Sequence, residues 1–165
     1  MPDLNHWLKL YESRKPAIKA RAARGLLGRS SETPLTILLN ILDTKWGEGL
    51  GADVEKALLE RRDPELVPEM ISRLKSPDPF IREVACVVLG KSGDRRATPH
   101  LLRMLDDPRM WLRRQAAFAL AFLEDPAAIP ELKRQYVRRQ NDDINVKFGL
   151  ETALKSLGVE YDNLS

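Results

Sequence analysis

The chain has 165 residues and 43% apolar content, enough for one domain with a helical core that needs no disulfide or metal staple. Its 27 basic and 24 acidic residues leave a net charge of +3, too small to imply nucleic acid by itself, and its single cysteine, Cys86, excludes an internal disulfide. The opening MPDLNHWLKL lacks the basic leader and apolar core of a signal peptide and no run reaches the length of a membrane span, so the expected location is the cytoplasm.

Asp3 is placed to cap a first helix to about Glu12, with Leu4, Trp7, Leu8 and Tyr11 as its apolar stripe. Pro16 restarts the chain into a helix carrying Ile18, Ala22 and Leu26. Trp7 reads as a core anchor of this terminal pair. Thr33 and Pro34, a cap followed by a first-position proline, open a helix with Leu38, Leu39 and Leu42. Its exit, Thr44–Gly51, holds three glycines within five residues and is expected to be a loop. Trp46 in that loop either folds back on the stack or stands out as a binding side chain.

Asp63-Pro64 and Asp78-Pro79 bracket the next first helix, with Met70, Ile71 and Leu74 inward. Pro68 bends that helix if it starts at Asp63 and merely begins it if it starts near Val67. From Asp94 to Leu123, Leu101, Leu102, Met104 and Leu105 form one short face, and Asp107-Pro108 is expected to start a second helix at about Pro108. In that helix Leu112, Ala116, Ala119, Leu120 and Leu123 make a single stripe. Ala127–Arg138 supplies the last first helix, and Asp142 or Asp143 caps the final one. Cys86, beside Ala85 on a helix and with no histidine near it in the register, reads as a small apolar residue.

Two rows repeat with one period. Ile18, Leu50, Ile81, Leu112 and Val146 are 32, 31, 31 and 34 residues apart, while Pro68, Pro99 and Pro130 are each 31 apart. Such self-similarity marks a solenoid, in which each unit covers its neighbour's apolar face. The expected architecture is all-α, a right-handed α-α superhelix of about five helix pairs. It forms one domain over 1–165, with repeats at about 1–29, 30–62, 63–93, 94–124 and 125–158 and a tail from 159 to 165.

Ile81-Arg82, Ala85-Cys86 and Leu89, then Leu112-Arg113, Ala116-Ala117 and Leu120, with Asp63, Asp94 and Asp125 between units, resemble the HEAT-like repeat family. The resemblance is strongest to the bacterial short-repeat branch that includes the phycobilisome-lyase type, and it runs clearly from Asp63 to Gly158. It implies the fold, whereas a lyase's handling of bilin does not follow from repeat-building residues. Iron-binding relatives of the class use His-Glu pairs, and none occur here. No HExxH, CxxC or spaced histidine pair is present, so no catalytic, metal or cofactor residue is assigned.

A binding surface is what remains. The second helices of a HEAT stack line its concave side, and a helical wheel points Ala52, Glu83, Arg114 and Phe148 most directly outward, accompanied by Leu59, Gly90, Ala121 and Lys155. The small members of that set would let a partner approach closely. Lys19, Arg82, Arg113 and Lys147 form a second ladder, which either reaches the groove or bonds between units through an Asp or a turn carbonyl. Phe80 with Trp111, and Val87 with Phe118, lie on the opposite flank. They either pack between helices or, if exposed, make an aromatic-plus-Arg cluster with Arg114.

The expected function is a non-enzymatic scaffold, a monomer binding an acidic protein segment on its concave face. Partner-binding residues would be Arg114, Arg113, Arg82, Glu83, Trp111, Phe118 and Trp46. Nucleic-acid binding is the alternative, and a component of a phycobilin lyase the third.

Overall fold

The computed structural model describes residues 2–44, 50–139, 144–161 and 164. Among them are ten α-helices and no strand. They form two compact units, Met1–Leu66 and Val67–Ser165.

In the first unit α1 (Leu4–Tyr11) packs on α2 (Pro16–Leu27), and α3 (Leu35–Asp43) and α4 (Gly51–Leu59) follow, both touching α2. The Asp3 carboxylate accepts from the backbone N–H of His6, an N-cap that satisfies one of the orphan donors of α1. Trp7 seals this pair. Its indole lies so close to Gly25 that an added Cβ would stand 2.3 Å from the ring. Thr33 does not cap α3 as its position suggests. It is fully buried, its hydroxyl donates to the Leu26 carbonyl, and Pro34 holds the cap position instead. Trp46 and the glycines Gly47 and Gly49 lie outside the described residues, as do Asp142 and Asp143.

The second unit runs from α5 (Leu66–Arg73), of which only Leu66 falls in the first, through α6 (Pro79–Lys91), α7 (Thr98–Met104), α8 (Met110–Leu123) and α9 (Ile129–Arg138) to α10 (Ile144–Ser156). Short 3-10 turns, Arg95–Ala97 and Pro126–Ala128, lead into α7 and α9. Pro68 falls in the first turn of α5, where its missing N–H costs nothing. The second helices form a layer in which α8 lies between α6 and α10, with α7 backing α8 and α9 backing α10. Close approach within this layer depends on two glycines. A Cβ at Gly90 would stand 2.6 Å from the Ala119 Cα, and one at Gly149 would stand 3.0 Å from the Ala117 Cβ.

The repeat register is carried by leucine. Leu26, Leu58, Leu89, Leu120 and Leu154, each eight residues beyond a period-setting residue, are all 0% exposed. Cys86 is equally buried, and desolvation first, with the Asp107 and Glu83 charges adding to it, pushes its thiol up to about 12. It behaves as a small core side chain.

Candidate protein-docking face

The arginines of the repeat motif are spent on the fold. Asp107 turns into α8 by accepting from the Arg109 N–H at 2.9 Å, so its carboxylate is fixed where the chain reverses. Arg82 of α6 reaches both its oxygens, at 2.9 and 3.2 Å, and donates to the Ser76 carbonyl at 2.9 Å. The pair is shielded, the side chains of Arg82 and Asp107 being 12% and 5% exposed. One unit on, Arg113 donates to the Asp107 carbonyl at 3.0 Å.

The same device recurs at other turns. Arg61 forks onto Asp63 and donates to the Ser30 and Thr33 carbonyls, and Arg139 reaches the Leu105 carbonyl and Asp106. Thr98 adds a neutral version, its hydroxyl on Asp125 at 2.6 Å. A planar guanidinium suits this work because one side chain can hold a carboxylate and turn carbonyls together. The hydrogen bonds hold Asp63 and Asp125 below the ordinary carboxylate range, through Arg61 and Thr98 respectively.

Arg114 differs from all of these. It follows Arg113 on α8 but projects about 100° away, and among the described residues no carboxylate lies within 4.0 Å of it. Its stem passes Gly149 of α10, and its Nε is withdrawn from water with no hydrogen-bond partner among the described residues. Beside it Met110 and Trp111 line a shallow pocket that Asn145 of α10 also lines. Phe118 meets Phe148 edge to face, with ring centroids 6.0 Å apart. Phe148 is 59% exposed and Phe122 64%, with Lys91 of α6 standing 5.9 Å over the Phe122 ring. Both rings thus leave large apolar groups in water, one on α10 and one on α8.

The residues singled out in the sequence therefore separate. Arg82 and Arg113 are bound into the repeat turns, and the three guanidinium groups do not converge on one point. Arg114, Trp111 and Phe118 lie together on α8, joined by Phe148 from α10. Glu83, in the row of Arg114 on α6, is half-buried. Trp111 and Phe118 are neither sealed between helices nor fully in water. Gly90 and Ala121 do not admit a partner, because both are buried within the helix layer and Gly90 receives the backbone of α8.

Met110, Asn145 and Phe122 have no place in the sequence pattern as read above. Asn145 occupies the position of Phe80 and Trp111 in the 31-residue register, and Phe122 that of Lys91. Extending the rows by one residue on each side would find them.

A scan of the sequence finds HEAT repeats over 50–121 and the PBS lyase HEAT-like repeat over 112–134. Together the two matches place residues 50–134 in the HEAT-like repeat family. Among solved structures it is similar to a chain in the complex of CpcE and CpcF of phycocyanin lyase from Nostoc sp., with 20% identity and a TM-score of 0.69. The match covers 95% of this chain but 65% of that one, so this chain spans less than two thirds of its length. It is also similar to an engineered protein, at 18% identity and a TM-score of 0.56, over 95% of this chain and 80% of that one. Both likenesses lie in the fold. No curated protein matches the sequence.

Among the described residues no helix is long and apolar enough to cross a membrane, and no three His, Cys, Asp or Glu side chains are grouped to hold a metal ion.

Proposed function

We propose that this chain is a protein-interaction module whose docking face is the outer side of α8 and α10. The partner segment brings a carboxylate to Arg114 and apolar side chains to Trp111, Phe118 and Phe148. The observation that carries this reading is Arg114 itself, a guanidinium with no carboxylate within 4.0 Å among the described residues, set beside the half-buried Trp111 and Phe118 and the exposed Phe148. Burying such rings beside a charge-assisted hydrogen bond is how protein interfaces concentrate their binding energy.

The test is paired, measuring affinity for a captured partner and the unfolding midpoint of each variant. Arg114→Glu is expected to weaken association by more than about tenfold through like-charge repulsion, with stability changed by no more than about 0.5 kcal/mol. Arg82→Glu is expected to do the reverse, lowering the midpoint because it faces Asp107. Equal affinity in folded Arg114→Glu would remove the face from consideration.

The likeness to a chain of a two-protein lyase complex supports a second reading, in which this chain works as one partner of a lyase assembly. Visible absorbance that appears on mixing with a bilin, and only in the presence of a second protein, would favour it.

A further inference from the structure

Arg114, Phe118 and Phe122 follow one another at four-residue spacing on α8. They form one ridge over the outer side of the helix, inclined by about 26° to its axis. What lies beside the ridge changes along it. At the Arg114 end the neighbour is α10, with Gly149 against the arginine stem and the Phe148 ring against Phe118. At the Phe122 end the neighbour is α6, whose Lys91 ammonium stands 5.9 Å over the ring. The ridge therefore carries a cation at each end and aromatic rings between.

Neither cation has a carboxylate within 4.0 Å among the described residues. Asp107, before α8, is bound by Arg82, and Glu151 of α10 by Lys147 and Tyr136. Glu83, half-buried on α6, and the exposed Glu124 at the end of α8 repel a partner's carboxylates and so confine them to the two cations. From Arg114 to Phe122, over which Lys91 lies, eight residues span about 12 Å of helix.

We propose that the docking face receives an acidic amphipathic helix of the partner protein. Two of its carboxylates, about eight residues apart, meet Arg114 and Lys91, and the apolar residues between them rest on Phe118, Phe122 and Phe148. This rests on the docking reading above and extends that face to α6. The spacing returns in the partner because a helix laid beside the ridge presents a ridge of its own at i, i+4 and i+8. An extended segment fits less well. Among the described residues there is no strand, so it would find no sheet edge for its backbone N–H and C=O groups, which a helix satisfies by itself.

The test uses the full chain and an alanine-based peptide of about 20 residues, long enough to be helical in water. It carries glutamates at i and i+8 and leucines at i+1, i+4 and i+7, and its binding is followed by fluorescence anisotropy. Saturable binding is expected, weakened at least about tenfold when both glutamates become glutamine. Proline at i+6, on the far side of the peptide, keeps all five contact residues but breaks the helix, and is expected to weaken binding by a similar factor. Lys91→Gln and Arg114→Gln, each checked by circular dichroism to be folded, are each expected to weaken the glutamate peptide by about fivefold or more. In the double variant the glutamate and glutamine peptides should bind alike.

Lys91→Gln without effect would overturn the proposal, as would a proline or glutamine peptide that binds as tightly as the parent, or no saturable binding of the parent. If one of these occurs while a captured partner still needs Arg114, the docking face stands and the two-ended helix does not. A captured partner that is also indifferent to Arg114→Glu removes both.

Discussion

Arg82 and Arg114 occupy neighbouring positions of the same repeat pattern, and their surroundings give them opposite consequences. Arg82 is shielded and meets Asp107 with both arms of its guanidinium. Arg82→Ala leaves that buried carboxylate short of its charge partner and is predicted to cost about 3 kcal/mol of stability in denaturant unfolding. Asp63 and Asp125 have folded pKa values below their unfolded ones, so they contribute stability above the ordinary carboxylate pKa and lose it as pH falls through the folded value. Their replacement by Asn should therefore flatten the acid limb of the stability profile. Cys86 has the opposite sign for an acid. Its folded pKa is raised to about 12, so stability is intact below its ordinary value of 9.0 and declines between there and about 12 as the unfolded thiol ionises first. Alkylation of Cys86 near neutral pH is expected only as fast as the chain opens. The choice between structure and binding for each arginine is not legible in the sequence. It depends on which carboxylate or carbonyl a turn presents, and the Asp107 turn places its oxygens through backbone geometry rather than through residue spacing.

At the scale of the helices, the repeat is readable because burial is periodic. The leucine row at Leu26, Leu58, Leu89, Leu120 and Leu154 is completely enclosed, and Leu120→Ala is predicted to cost about 2–5 kcal/mol through lost burial and a cavity. Helix starts are less readable. Asp107-Pro108 signals a beginning at Pro108, yet α8 begins at Met110, because Asp107 spends its side chain on the Arg109 N–H and on Arg82 in a turn that precedes the helix. A wheel centred on one helix turns Gly90 outward because it says nothing of the neighbours on either side, whereas in the fold Gly90 faces α8. With the Ala119 backbone only 2.6 Å from where an added methyl would sit, Gly90→Ala must push α6 from α8. Its net effect is predicted to be a loss of about 2 kcal/mol, the strain of overpacking exceeding the roughly 1 kcal/mol gain in helix propensity.

Across the whole molecule, the helical period in every segment and the breaks at Asp-Pro sites make the all-helical class legible, and circular dichroism should show helix without a sheet component. The proposed docking face is legible in part. Arg114, Trp111 and Phe118 stand out in their rows, but their meeting with Phe148 and Asn145 depends on how closely α10 lies on α8 at Gly149, a distance that no single-helix pattern contains. The central claim is that this face receives a protein, and a photo-crosslinking amino acid tests it most directly when placed at Phe148, with Val137 of α9 as the control position. Crosslinking in the native cell is predicted to join a defined protein partner to position 148, to be lost when Arg114→Glu is added, and to be absent at 137. Adducts at 137 but none at 148, or a yield at 148 indifferent to Arg114→Glu, would contradict it.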